Sequence, residues 1–347
     1  MNPWCGAVTS AQDQWDDTIA QCVTIERDPD SPIPMAHTTY TWHLLRAGTL
    51  SLDGGSMFGL IPRVVWSKAV VPDALHRITV SHNCLLLAAA DGRRILIEAG
   101  SGNKLDAKMR GVFALKDRTI LDAVGEVAPI EQVRHVVVSH LHFDHAGGLT
   151  RRSYENEEPH WIDPANGLGV LRSFGSAEII VQGREREDCI ANKSVMTRTY
   201  LRDNFEPLQA FFRSVDSPLP FPEGYAPGRD ELPATSLDER MTQVLPGIFV
   251  FRVPGHTWGQ QAILFTDERG RTVVFTPDVM PTVNHVGAAY SLAYDVEPYT
   301  TMITKRWFLA EAAERDWLLI LDHEPGNPCV RVRPDGKGWY AVVPSAE

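Results

Sequence analysis

The run Ser139-His140-Leu141-His142-Phe143-Asp144-His145 sets three imidazoles and a carboxylate within six consecutive positions, directly after the apolar stretch Val136-Val137-Val138. Neutral imidazole nitrogens and carboxylate oxygens are the donors that borderline divalent ions such as zinc take in hydrolytic centres. The absence of Cys from the run points away from a closed structural site. A metal-free His-rich turn would gain nothing that smaller polar residues do not supply. Three further residues stand where a strand-like run meets a loop: His256 in Pro254-Gly255-His256-Thr257, Asp278 in Thr276-Pro277-Asp278, and His323 in Leu321-Asp322-His323-Glu324. Taken singly, such residues are ordinary. Together with the cluster they become candidates, because the ends of neighbouring strands converge on one edge of a sheet.

The elements that must carry these residues are legible in part. β-Favouring runs at 77–80 and 84–90, the turn Asp91-Gly92 and Ile95-Leu96-Ile97 read as a hairpin. Gly100 and Gly102 mark a tight loop where backbone can approach a site closely. Ile120, Leu121, Val124 and Val127 at helical spacing predict a helix over 119–127 that delivers the chain to the Val136–Val138 strand. Residues 150–240 change character, with many prolines between Pro218 and Pro233 and only Ile179-Ile180-Val181 reading as a strand. This 151–240 region is expected to be an insertion, either a passive elaboration or a lid over the site. Strands are expected again at 248–251, 262–265, 272–275 and 318–321, with a helix over 302–313. Residues 1–45 lack a clean period and are assigned to an N-terminal arm, with the hydrolase domain spanning 46–340.

Composition bounds the function. A 347-residue chain with 44% hydrophobic residues can bury a large core. Its net charge of −11, with no basic block, argues against a nucleic-acid or anionic membrane partner. Five widely spaced cysteines without C-x-x-C read as free thiols in a reducing compartment. No basic leader followed by an apolar stretch is visible, and no long apolar span occurs, so the expected location is cytoplasmic. A homodimer is the expected assembly.

The ordered combination H-x-H-x-D-H after an apolar strand, then P-G-H-T, an isolated Asp after a strand and a late His resembles the metallo-β-lactamase superfamily over roughly residues 50–330. That resemblance implies an α/β fold, a four-layer αββα sandwich with its site at the shared edge of two sheets, here with an N-terminal arm and an inserted region. It also implies two divalent metal ions: His140, His142 and His256 on one, Asp144, His145 and His323 on the other, with Asp278 bridging. Zinc is the expected metal, with manganese, cobalt or iron as substitutes. Glu98 stands where many relatives carry Asp in a D-x-G turn, which leaves the supporting role of that turn open.

Several secondary features are similar to the quorum-quenching lactonase branch that also contains methyl parathion hydrolase. They are Gly55-Ser56-Met57-Phe58-Gly59, the stretch 278–282, His285, Tyr294-Asp295 and Pro298. Asp278 is a carboxylate where common β-lactamases have Cys, which argues against that activity. A tyrosine that small lactonases place three residues after the bridging Asp is Pro281 here, so either Tyr200, Tyr290 or Tyr294 replaces it or the role is absent. The implied chemistry is hydrolysis of lactones or esters by a metal-bridging hydroxide, with Asp144 and Asp278 orienting it and relaying its proton. N-acyl homoserine lactones are the expected substrates. Met57, Phe58, His285 and Tyr294 are the candidate substrate contacts, and Trp258 and Gln260 are candidates for orienting His256. The alternatives are an organophosphate triesterase or other carboxylic-ester hydrolase and, from another class, a mononuclear iron persulfide dioxygenase.

Overall fold

Continuous apolar runs in this chain become strands buried on both faces, which period-2 geometry then divides between separate cores. The computed structural model describes residues 38–175, 177–193 and 199–346, so the arm expected over 1–45 lies outside the described residues as far as position 37. Ala36–Glu347 forms one compact unit. Its strands are β1 (Thr39–Asp53), β2 (Arg77–Ala89), β3 (Arg94–Ile97), β4 (Val133–Val137), β5 (Thr150–Arg152), β6 (Trp161–Ile162), β7 (Gly169–Arg172) and β8 (Glu178–Gln182). The second half adds β9 (Phe212–Val215), β10 (Thr242–Leu245), β11 (Ile248–Arg252), β12 (Gln261–Asp267), β13 (Thr272–Thr276), β14 (Leu318–Leu321), β15 (Cys329–Pro334) and β16 (Tyr340–Pro344).

One half of the sheet system runs β1-β2-β3-β4-β8-β9, and the other runs β12-β13-β14-β15-β16 with β11 and β10 attached beside β12. The halves join where β1 pairs with β12 through Thr39 and Tyr40. Between them, Leu85, Leu87, Ile95, Ile97, Val137 and Ile180 pack against Ile263, Phe265, Val273, Phe275, Leu318 and Ile320. The alternate residues point the other way. Leu86, Leu96, Val136 and Ile179 meet Ile120, Ala123 and Val124 of the helix Ile120–Gly125. Val274, Leu319 and Leu321 meet Trp307, Phe308 and Ala312 of the helix Pro298–Glu314. The result is helix, sheet, sheet, helix: the αββα sandwich. Each fully buried aliphatic side chain contributes about 1.5–3 kcal/mol to holding these layers.

Two boundaries differ from the sequence reading. β1 begins at Thr39, so residues 39–45 belong to the sheet and not to an arm. The alternation Thr-Tyr-Thr-Trp-His-Leu already carries the period of a strand. The 151–240 region is also more than an insertion, since β8 and β9 extend the main sheet in parallel from β4. Within it, β5, β7 and β6 form a small separate sheet whose strands are too short to show a period in the sequence. Among the described residues Cys84, Cys189 and Cys329 are buried and form no disulfide, and no helix is long and apolar enough to cross a membrane.

Lys305, wholly buried in the helix Pro298–Glu314, donates from Nζ to the carbonyls of His285 (2.9 Å) and Tyr290, tying down the loop between them. Burial lowers its ammonium to about 7, against the opposing pull of Asp295. A base depressed in the folded state binds its proton more readily when unfolded, so stability rises with pH between the two values. Between pH 7 and 10 the wild type is therefore expected to gain on Lys305→Met by up to about 1.4 kcal/mol per pH unit in urea unfolding. Parallel pH profiles for the two proteins would contradict this.

Candidate metal centre

The polar edge of the sandwich is assembled from four strand ends. β4 leads through Val138 and Ser139 into His140 and His142, after which the short helix Phe143–Ala146 presents Asp144 and His145. β11 leads to His256, β13 to Asp278 and β14 to Asp322 and His323. The structure brings all seven expected residues together. His140, His142 and His256 offer one group of nitrogens, and His145, Asp278, Asp322 and His323 offer a second group, with the atoms in each lying within 4.8 Å of one another.

Asp278 sits between the groups. Its Oδ2 lies 3.0 Å from His256 Nε2, 3.7 Å from His145 Nε2 and 3.9 Å from His140 Nε2, while Oδ1 lies 3.5 Å from His323 Nε2. Asp144 stands on the cavity side, with Oδ2 3.6 Å from His323 Nε2. Burial, followed by the neighbouring imidazoles, holds His140 and His142 well below the usual imidazole range, so both are neutral bases. Burial works against charge on His145 and His256 as well. Asp144 and Glu98 nevertheless carry His145 well above its ordinary value, and Asp278 and Asp295 carry His256 up to about 10. Burial likewise opposes charge on Asp278, yet His256 and His323 draw it well below the carboxylate range.

A donor set of this kind fits divalent ions. His140 Nε2, His142 Nε2 and Asp278 Oδ1 are buried without a hydrogen-bond partner, all within the same cluster of ring nitrogens and carboxylate oxygens. Lone pairs crowded together in a dry site are costly unless a cation collects them.

The backbone around the ligands is held by residues beyond them. Glu98, at φ +67°, accepts from Ser139 N–H and pairs its Oε2 with His145 Nδ1 at 3.1 Å, so this Glu performs the supporting role left open by the sequence. A side chain at Gly147 or Gly148 would run into the carbonyls of Ser101 and Ala99, so the loop carrying Gly100 and Gly102 and the end of the ligand helix pack backbone to backbone. His323 Nδ1 lies 2.9 Å from Ser81 O. Asn83 Nδ2 donates to the carbonyls of Leu321 and Glu324.

Several assignments change. Trp258 and Gln260 do not orient His256: Asp295 Oδ1 does, 2.8 Å from its Nδ1, while Gln260 has no partner and Trp258 lies under Arg184. Of the expected substrate contacts, Met57 and Tyr294 line the cavity over the centre. Phe58 does not, because its ring is stacked between Trp66 at 5.3 Å and His285 at 4.8 Å. His285 uses Nδ1 toward Thr282 Oγ1 and Nε2 toward Met57 O, both at 2.8 Å, and is structural. Tyr290 packs edge-on against Phe58, and Tyr200 lies 5.0 Å from the His142 ring, which leaves Tyr294 at the cavity.

Glu185, Asp295 in its role on His256, Thr199 in the cavity wall and Asp322 were not found as site residues from sequence. For Asp322 the signal was present, since it is the polar residue next to His323 at the end of the run 318–321.

A match to the model described as Metallo-beta-lactamase superfamily spans residues 77–164, the segment that runs from the hairpin through His140–His145. Among curated proteins none matches by sequence. Solved structures show the same fold at low identity. A probable metal-dependent hydrolase from Staphylococcus aureus is 22% identical, with a TM-score of 0.68, covering 90% of this chain and 100% of its own. The hydrolase AbOPH in the beta lactamase superfamily is 18% identical, with a TM-score of 0.63, covering 90% and 98%. AidC, a dizinc quorum-quenching lactonase in complex with its product, is 15% identical, with a TM-score of 0.62, covering 90% and 99%. Residues 77–164 thus match that superfamily's model, and the chain adopts the metallo-β-lactamase fold.

Glu185 ties two ligand loops together: its carboxylate accepts from Leu141 N–H (2.9 Å), Tyr200 O–H (2.8 Å) and Thr257 O–H (2.6 Å) while fully buried. Glu185→Ala strands three donors and should lower the unfolding free energy by about 3 kcal/mol or more in denaturant titrations. A loss below about 1 kcal/mol would mean that water or other groups replace the carboxylate.

Proposed function

We propose that this protein is a metal-dependent hydrolase that opens lactones or cleaves carboxylic esters, with N-acyl homoserine lactones as the substrate class. The observation that carries the reading is a cavity of about 240 Å³ whose floor is His142, Asp144, His256, Asp278 and His323 and whose walls are Leu52, Met57, Phe113, Phe143 and Leu292. Such a space takes a polar, hydrolysable head at its base and an apolar chain along its sides. The dizinc lactonase AidC, which shares the fold, supports this choice of substrate class.

Two divalent ions, zinc foremost, would be held by the two donor groups and would supply Lewis acidity and a water acidified toward neutrality. The chain's own residues do the remaining work. Tyr294 faces the cavity, and burial pushes its phenol up to about 12, so at neutral pH it is a hydrogen-bond donor for the carbonyl or the leaving oxygen. Asp144, 11% exposed at its side chain, is placed to take the proton released as water adds and to return it to the departing alkoxide. In a lactone that alkoxide stays tethered, so the ring opens without a group having to leave the cavity. Two donor groups, where a mononuclear dioxygenase needs one, favour hydrolysis over the iron alternative.

Protein of known metal content should be assayed on lactones of varied acyl length, aryl esters and phosphotriesters, with acid release followed at constant pH. Preference for lactones by orders of magnitude is expected, and a preference for phosphotriesters would move the assignment to that class. Asp278→Ala should abolish turnover and lower metal content, whereas Tyr294→Phe should retain metal and lower kcat/KM about tenfold or more. Undiminished turnover in Asp278→Ala would overturn the proposal.

A further inference from the structure

Asp322 has no place in the ligand set implied by the sequence resemblance, yet its surroundings do not suit a free carboxylate. It is 2% exposed, and neither Oδ1 nor Oδ2 has a hydrogen-bond partner. The neighbouring buried carboxylates are accounted for. Glu98 meets Ser139 N–H and His145, Glu185 takes three donors, and Asp295 takes His256 and the N–H of Leu292. A dry carboxyl group with two unpartnered oxygens is costly to bury unless a proton or a cation collects them.

The geometry supplies a place for one. A carboxylate oxygen of Asp322 lies within 4.8 Å of the ligand atoms of His145, Asp278 and His323. The backbone of Asp322 is pinned on both sides, since its N–H donates to Thr276 O at 3.2 Å and its carbonyl accepts from Asn83 N–H at 2.8 Å. The carboxylate is therefore presented to the centre by the same sheet edge that presents Asp278 and His323.

We propose that Asp322 is a ligand of the cation at the second site, which then consists of His145, Asp278, Asp322 and His323, with Asp144 beside it on the cavity side. The inference rests on the metal-dependent reading above and deepens it. The two sites then differ in character. Three imidazoles and the shared Asp278 suit zinc, whereas two imidazoles and two carboxylates shift the second site toward oxygen-seeking ions such as manganese or ferrous iron.

Asp322→Asn keeps the shape and removes the anion. Wild type dialysed against zinc or manganese should hold two ions per chain by elemental analysis, and the variant should hold the second ion at least about tenfold more weakly. Thermal unfolding supplies a readout that a purely structural role would move in the opposite direction. Stripped of metal, Asp322→Asn should melt higher than the stripped wild type by about 2 °C or more, and it should gain less on metal addition. Asp322→Ala, measured in the same way, serves if Asn is not accommodated. A variant that binds two ions as tightly as the wild type overturns this inference alone. A wild type that takes up no ion overturns the metal-dependent reading with it.

Discussion

Four imidazoles converge on the Asp278 carboxylate at 3.0–3.9 Å, in a place from which water is almost wholly removed. The imidazoles lean on that one anion from three strand ends, His140 and His145 after β4, His256 after β11 and His323 after β14. Without a cation the arrangement divides into protonated and neutral rings, His145 and His256 on one side and His140 and His142 on the other. With cations every ring would serve as a neutral base. The rest of the sandwich can be read as the frame that holds lone pairs at distances they would not choose by themselves.

That frame works through buried carboxylates that are not themselves donors to the centre. Glu98 fixes His145 and the start of the ligand loop, Asp295 fixes His256, and Glu185 joins the loop of His140 and His142 to that of His256. Each accepts from more than one group, which makes its burial tolerable. The ligands are thereby held from behind, and the tautomer of each supported ring follows from the oxygen it faces.

Much of the centre was legible because its ligands are dense and chemically distinctive. The cluster at 140–145 announces itself, and His256, Asp278 and His323 share one visible context, the end of an apolar run. The layers were legible through those same runs, though periodicity could not show that adjacent residues such as Val136 and Val137 face different cores. Residues acting through tertiary contact left no local trace. Glu185 lies in a helix of charged residues, Gly183–Ile190, where a buried Glu looks like any surface one. Trp258 and Gln260 were plausible by adjacency to His256, but the orienting carboxylate comes from Asp295 instead, far along the chain. Phe58 and His285 matched a branch-specific pattern, and the structure stacks the two rings on each other and ties His285 to the Met57 carbonyl.

Three residues of the cavity wall come from segments that carry none of the candidate metal ligands: Leu52 at the end of β1, Phe113 after the helix Ala107–Val112, and Leu292 in the loop before the helix Pro298–Glu314. On the proposed reading, recognition of the substrate's apolar part therefore draws largely on parts of the polypeptide other than those that carry the chemistry at its head. Replacement of those three side chains would reshape the apolar wall while leaving the charge arrangement of the floor intact. Such modularity is the condition under which a single hydrolytic scaffold diversifies its substrates by small steps.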